Sequence, residues 1–133
     1  MTSLKCDSEI LYKLPLNKYN ESNIKILVIQ NGAKTLKKDM FKYCVNLVVI
    51  SIPLSIKIIE DGYFGECPLI RIVQCNPVFL NLFNKQYVTT FLVQEGVKVI
   101  HKKDFMNINY IQYLHIPASV QSIESGTFFH LKK

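Results

Sequence analysis

Cysteine and histidine are the side chains of this sequence with the most scope for chemistry, and the chain has four cysteines and three histidines. Zinc sites need such residues at short spacings, and the sequence has no C-x-x-C and no paired His/Cys spacing. His101, His115 and His130 are scattered, so we expect exposed side chains rather than a proton-transferring cluster. Asp61 and Asp104 lie beside predicted turns and are expected to cap short helices. The glycines are scattered too, so no phosphate-binding loop is predicted. The sequence therefore predicts no enzyme activity, no metal site and no cofactor.

A repeated stretch gives the elements in which these residues lie. Residues 46–67, NLVVISIPLSIKIIEDGYFGEC, recur at 110–131 as YIQYLHIPASVQSIESGTFFHL. The segment L-x-x-I-x-I alternates as a half-buried strand does, and Pro53 ends the strand because it has no N–H to donate. A second short apolar pair, an Asp-Gly turn and a helical turn carrying Phe64 complete the unit.

Seven apolar positions of this unit define four full units and one short one. In residues 46–67 these positions are Leu47, Ile50, Ile52, Ile56, Ile59, Phe64 and Cys67. Moving back 23 residues from each of the two best copies lands on apolar or small residues at all seven positions. Such a unit cannot bury its own apolar face and must stack on copies of itself. The expected full units are 23–45, 46–68, 87–109 and 110–132, with a truncated unit at 69–86 that lacks its helical turn. Residues 1–22 are expected to be an irregular N-terminal segment or a partial repeat, or else a disordered tail.

The cysteines fit this repeat as core residues. Cys44 and Cys67 occupy one position in successive units, while Cys6 and Cys75 fall at inward strand positions. Other units carry Ile108 and Leu131 at the Cys44 position, which favours packing over chemistry. We therefore expect buried thiols rather than disulfides.

The pattern L-x-x-I-x-I-P-x-S-I/V-x-x-I-x-x-G-x-F-x-x-C resembles the BspA-like leucine-rich repeat over roughly residues 23–133. Two units carry Gln30 and Gln94 where the motif has proline, and Asp39 and Lys103 replace the motif glycine. The resemblance implies a β-rich (α/β) leucine-rich repeat solenoid. It would have a parallel strand sheet on one face and short strands with short helical turns on the other. It also implies binding, often with surfaces or adhesion, and no catalytic residue.

Two outward rows of the predicted sheet form the first candidate surface. Residues that alternate with the inward strand positions should be polar if they merely faced water, yet several are large and apolar. β-propensity alone could also select such residues, or an N-terminal segment could cover them. The predicted strand-face binding residues are Ile26, Val28, Val49, Ile72, Gln74, Leu92, Tyr113 and His115.

A basic ladder on the second short strand forms the alternative surface. Lys34, Lys57 and Lys98 share one repeat position, and the net charge of the chain is +6. Such lysines could meet a glycan or another acidic surface, although lysines also keep sheet edges soluble. Nucleic acid is disfavoured because no platform of aromatic and basic residues is evident.

These observations lead to one function and two alternatives. The function is a non-catalytic protein–protein interaction module that binds a protein partner through the strand face. The alternatives are a surface adhesion or glycan-binding domain that uses the basic ladder, and a structural fragment of a longer repeat array. No apolar run is long enough for a membrane span, and Lys5, Asp7 and Glu9 fall where a signal peptide would be apolar. The form given is thus expected to be cytoplasmic or non-classically surface-associated, and its oligomeric state stays open.

Overall fold

The computed structural model describes residues 3–14, 21–37, 39–60, 64, 67–83, 87–106, 108 and 110–128. The helical elements within these ranges are α1 (Ser8–Lys13) and the 3-10 helices Glu21–Asn23, Pro77–Phe83 and Lys102–Phe105. The strands are β1 (Ser3–Cys6), β2 (Ile26–Ile29), β3 (Thr35–Leu36), β4 (Val49–Ser51), β5 (Ile58–Ile59), β6 (Ile72–Cys75), β7 (Thr90–Val93), β8 (Val99–Ile100), β9 (Tyr113–His115) and β10 (Ser122–Ile123).

Six of the strands form one parallel sheet. Its order is β1-β2-β4-β6-β7-β9, so each strand of this sheet pairs with the next one along the chain. The registers align equivalent positions of successive units, as in the pairs Leu27↔Ile50 and Val73↔Phe91. A repeated sequence produces this arrangement because every unit offers the same strand to the same neighbour.

Side chains alternate between the two sides of this sheet. In β2, β6 and β7 every second residue is buried, and the residues between them are partly or fully exposed. The inward residues are those of the predicted apolar positions, with Leu27, Ile50 and Phe91 at 0% exposure. This alternation places the core on one side of the sheet and leaves the other side as a surface.

The short strands pair in two separate sheets. β3 pairs with β5, and β8 pairs with β10, each over two residues. Between these two pairs the chain contains the 3-10 helix Pro77–Phe83. The prediction that the short unit lacks its helical turn is therefore wrong. The unit has a helix directly after β6, and the described residues from 77 to 83 include no second strand.

The helix Pro77–Phe83 begins with recognisable capping chemistry. Asn76 accepts a hydrogen bond on its side-chain Oδ1 from the backbone N–H of Val78 (3.1 Å). Pro77 then occupies the first helical position, where its missing N–H costs nothing and its fixed φ suits the helix. The Asn-Pro pair therefore starts a helix directly after the strand and takes up residues that a second strand would need.

Phenylalanine side chains connect successive units inside the core. The ring centroids of Phe41 and Phe64 lie 5.8 Å apart, and those of Phe64 and Phe83 lie 4.6 Å apart with nearly parallel planes. Phe105 and Phe128 meet edge to face at 5.1 Å. Phenylalanines of successive units therefore pair in the core, and Phe83 of the short unit takes part.

Gln94 forms hydrogen bonds between the two full units that flank the short unit. Its Nε2 donates to the backbone carbonyl of Ile52 at 3.0 Å and lies 3.5 Å from Ser51 Oγ. Ile52 belongs to the unit of β4, while Gln94 follows β7, two strands away in the sheet. The short unit therefore lets its two neighbours touch, and glutamine at a position where the motif has proline provides the contact.

The turns show why some motif glycines are replaced. Gly126 has a φ of +80°, and Asp39 takes a similar conformation with a φ of +62° at the equivalent position. Aspartate tolerates this left-handed region better than most residues. Lys103 lies instead within the 3-10 helix Lys102–Phe105, so no left-handed residue is needed there. Gly62 lies outside the described residues.

The N-terminal segment contributes the edge strand of the main sheet. β1 pairs in parallel with β2, and Leu4 and Cys6 point into the core. α1 follows, capped by Asp7, whose Oδ1 accepts from the N–H of Ile10 at 2.9 Å. Leu11 of α1 is fully buried. The described part of this segment is therefore ordered against the core.

Candidate binding surfaces

The exposed side of the main sheet carries two rows of side chains that run across the strands. The registers align one residue of each strand with its neighbours, and β1 adds one residue to each predicted row. The first outward row is Ser3, Ile26, Val49, Ile72, Thr90 and Tyr113. The second outward row is Lys5, Val28, Ser51, Gln74, Leu92 and His115. These rows contain every residue of the predicted strand-face site, so the structure places that set on one surface.

Large apolar side chains on this surface are open to solvent. Tyr113 is 69% exposed and Ile26 is 40% exposed. Val28, Val49, Ile72, Gln74 and Leu92 are half-buried, because their neighbours on adjacent strands shield them, and His115 is exposed. Tyr113, in the edge strand β9, is therefore the most exposed apolar residue of the two rows.

Polar residues interrupt the apolar stripe expected from the sequence. Ser51 Oγ donates to Gln74 Oε1 at 2.9 Å in the middle of the second row. Thr90 lies between Ile72 and Tyr113 in the first row. The surface therefore consists of an aliphatic area on β2, β4 and β6 and a second apolar area at Leu92 and Tyr113.

Two exposed aromatic residues lie just before the strands β7 and β9, and the sequence reasoning missed them. Tyr87 and Tyr110 each lie three residues before a strand, and their ring centroids are 4.7 Å apart in an edge-to-face arrangement. Both rings are about half exposed, at 55% and 50%. The guanidinium carbon of Arg71 lies 5.9 Å from the centroid of the Tyr87 ring. The signal in the sequence was the 23-residue spacing of Tyr87 and Tyr110, a repeated tyrosine at a position outside the apolar frame.

The predicted basic ladder is divided. Lys34 and Lys57 precede β3 and β5, and the N–H of Lys57 donates to the carbonyl of Lys34 at 2.8 Å. Lys98 precedes β8 and has the same relation to Gln121 in the other short sheet (2.7 Å). All three lysines are exposed. Lys98 therefore lies beside a different short sheet from Lys34 and Lys57.

All four cysteines are buried thiols, as the repeat position predicts. Burial raises the pKa of Cys6 to about 12, and the nearby Cys44, Asp7 and Glu21 add smaller contributions in the same direction. Burial also raises the pKa of Cys44 to about 12, again with a contribution from Glu21, and burial raises that of Cys75. The Cys67 thiol lies 3.7 Å from the carbonyl oxygen of Phe41. The thiols of Cys6, Cys44 and Cys75 are therefore protonated at neutral pH, and all four cysteine side chains are shielded from solvent.

The polar residues considered for chemistry are dispersed. His101 is exposed and lies 4.0 Å from Glu124, and His115 is exposed, while His130 lies outside the described residues. Asp104 is the third residue of a 3-10 helix, with His101 at the N-cap position, so its predicted capping role is wrong. Burial raises the pKa of Asp104, and His101 and Lys103 oppose that shift. Asp61 lies outside the described residues.

Two further kinds of site are absent from the part of the chain that the structure describes. In it, no group of three or more His, Cys, Asp or Glu side chains is placed to hold a metal ion. No helix in those ranges is long and apolar enough to cross a membrane. Glu21 is fully buried, and neither of its carboxylate oxygens has a hydrogen-bond partner among the described residues.

Comparison with known families identifies the repeat. The family model for the BspA type leucine rich repeat region (6 copies) matches residues 78–133. The resemblance seen in the sequence is therefore confirmed for that part of the chain, and the parallel sheet with few helices fits an α/β leucine-rich repeat fold. Proteins of this family are generally non-enzymatic interaction modules. No curated protein and no solved structure matched the chain.

Proposed function

Because residues 78–133 match the model of the BspA type leucine rich repeat region, we propose that the chain is a non-catalytic module that binds a protein partner through the strand face. In this proposal the repeats form a solenoid with full units at 23–45, 46–68, 87–109 and 110–132 and a short unit at 69–86. The segment 1–22 adds an edge strand to it. The pairing of main-sheet strands in chain order supports the solenoid, since each unit then contacts mainly its neighbours.

The observation that carries the proposal is the exposure of large apolar residues on the outward side of the sheet. Tyr113 and Ile26 are well exposed, and Leu92, Ile72 and Val49 lie beside them in the two outward rows. β-propensity favours valine, isoleucine and tyrosine in strands, but it does not account for Tyr87 and Tyr110, which lie just before strands of this sheet and are 55% and 50% exposed. Exposed apolar areas of this kind mark interaction sites.

A second candidate function is binding of an acidic glycan or another acidic surface through the lysines. Its support is the exposed pair Lys34 and Lys57, which lie on adjacent rungs of one short sheet. Lys98 gives this alternative less support, because its strand β8 pairs with β10 and not with β5.

The two functions are separated by a pull-down with the recombinant protein, followed by mass spectrometry and a salt titration. We expect Tyr113→Ala combined with Leu92→Ser to leave the fold intact, since both side chains point outward, and to weaken partner capture. The matched variant Lys34→Gln combined with Lys57→Gln should retain capture. The lysines would be favoured if capture survives Tyr113→Ala with Leu92→Ser but is lost with Lys34→Gln and Lys57→Gln. Capture that survives the first variant but is lost when the salt concentration is raised would favour them too.

A further inference from the structure

The outward side of the main sheet carries no negative charge at its described positions. Besides the two outward rows, the residues one and three positions before each of β2, β4, β6, β7 and β9 are partly or fully exposed. The chain has 10 Asp and Glu residues, and none of them falls at these outward positions. Lys25 and Arg71 do, and β1 adds Lys5 to the second row. A surface with cations and no acids attracts anionic groups and repels other cations.

The aromatic area of this surface is built by neighbouring units. Tyr87 precedes β7 and Tyr110 precedes β9, and their rings meet edge to face. Tyr113, in β9 itself, adds the most exposed ring of the face. Tyrosine offers a large contact area and a polar tip at low entropy cost, which is why it is enriched where interfaces bind most strongly.

Arg71 is held in position beside these rings. Its Nη1 donates to the carbonyl oxygens of Pro68 (3.1 Å) and Ile70 (2.9 Å). The guanidinium also lies close to the Tyr87 ring. Both hydrogen bonds use one nitrogen of a group with five N–H donors, so the guanidinium can also receive a carboxylate. Because the side chain is already fixed, binding a carboxylate there costs little additional ordering.

We propose that Arg71, Tyr87 and Tyr110, together with the exposed Tyr113 of β9, receive an acidic segment of a protein partner. A carboxylate of that segment pairs with Arg71, and an adjacent apolar side chain packs against the tyrosine rings. This inference rests on the proposed function and names the partner class for the same face.

The apolar content of the face favours a peptide over a sulfated glycan. Leu69, 42% exposed, lies three residues before β6, and Leu92 and Ile72 lie in the outward rows. A sulfated glycan presents no aliphatic or aromatic side chains to cover such residues and depends on many cations. An acidic segment with one or two apolar side chains uses both features of the surface.

The test is to select short random peptides from a display library on the immobilised protein. We expect the selected peptides to be enriched in Asp and Glu next to apolar residues. For a synthetic copy of one such peptide, Arg71→Gln and Tyr110→Ala should each weaken binding about tenfold, as loss of an anchor residue does. The affinity should also fall as salt is raised from about 0.05 to about 0.5 M.

Two controls separate the cluster from general charge and aromatic effects. Lys98→Gln removes one positive charge from a short sheet, away from the cluster. Tyr43→Ala removes another exposed tyrosine that has a cation, Lys42, 5.2 Å from its ring centroid. Both variants should bind the peptide as the wild type does, and thermal melting should show that every variant is folded.

Several outcomes would overturn the inference. They are the recovery of no peptides, peptides without an excess of Asp and Glu, and equal binding to folded Arg71→Gln. If the selected peptides are neutral and their binding needs Val49 and Ile72, the proposed function is supported, but the inference of an acidic partner is wrong. If peptide binding is unchanged in the variant Tyr113→Ala with Leu92→Ser but is lost without Lys34 and Lys57, both the acidic-segment inference and the proposed strand-face function are wrong. Heparin binding that is lost in Arg71→Gln, without peptide binding, would assign the cluster to a glycan.

Discussion

Phe64 depends on neighbouring units for its burial. Its ring lies between those of Phe41 and Phe83, and its exposure is 7%. Truncation to alanine would leave a cavity bounded by side chains from other units, which can only partly collapse.

We therefore expect Phe64→Ala to lower the free energy of unfolding by about 3–5 kcal/mol, measured by urea denaturation. Met106→Ala is the control, since Met106 is 50% exposed and its truncation should cost less than about 0.5 kcal/mol. A Phe64→Ala variant as stable as the control would show that the ring is not part of the core.

The buried thiols are expected to make the free energy of unfolding fall at alkaline pH. Because folding raises the pKa of Cys6 and Cys44 to about 12, the native state disfavours their thiolates. The resulting stabilisation is fully present below the unfolded pKa of about 9 and is lost as pH rises toward about 12. Denaturation midpoints should therefore fall above pH ~9.

A variant with Cys6→Ala and Cys44→Ala should lose less stability over this pH range than the wild type, which separates the thiols from tyrosine and lysine titration. At pH ~8 a thiol reagent such as DTNB should label the native protein slowly and the urea-unfolded protein quickly. Fast labelling of the native wild type would contradict the burial of these thiols.

Among the elements, the short unit alters the contacts of the two units that flank it. Gln94 reaches the carbonyl of Ile52 in the unit of β4, although the unit of β6 separates them in the sheet. Gln30 occupies the same repeat position as Gln94 and is exposed. The two glutamines thus form a matched pair in different surroundings.

We expect Gln94→Ala to destabilise the protein by about 1 kcal/mol, the typical worth of a hydrogen bond. Gln30→Ala should change stability by less than about 0.5 kcal/mol, as surface substitutions usually do. Thermal or urea unfolding measures both. Equal effects of the two changes would mean that the contact with Ile52 contributes nothing.

The turn at Asp39 is strained where the equivalent turn at Gly126 is not. A residue with a side chain pays for the left-handed conformation, whereas glycine does not. Asp39→Gly should therefore raise stability by about 1 kcal/mol, and Gly126→Ala should lower it by a similar amount. If Asp39→Gly lowers the denaturation midpoint, the aspartate side chain contributes more than its backbone strain costs.

The repeat made the main sheet predictable from the sequence, but it did not predict the structure of the short unit. Seven apolar positions fixed which strand residues point inward, and the observed registers pair the same residues that the 23-residue shift aligned. The helix Pro77–Phe83 was missed because its residues were read only against the repeat frame. Its signal was local, in Asn76 and Pro77, which cap and begin a helix.

For the whole molecule, surfaces were harder to predict than the core. The outward rows followed from strand alternation alone. The tyrosine pair had a signal in its 23-residue spacing, but it lies outside the apolar frame of the repeat. The division of the lysines between two short sheets follows from the helix of the short unit, which the repeat frame did not predict. Lys57 and Lys98 are equivalent in the repeat, yet the helix Pro77–Phe83 comes between their two short sheets.

The most direct test of a binding strand face is site-specific photo-crosslinking at two exposed positions. The photoreactive amino acid benzoylphenylalanine would replace Tyr113 on the strand face and, as a control, Ile58 in β5, which is 58% exposed. After irradiation in an extract of cells that express the protein, we expect a discrete protein adduct from position 113 and none from position 58. Adducts from position 58 alone would contradict the assignment of the strand face as the interface.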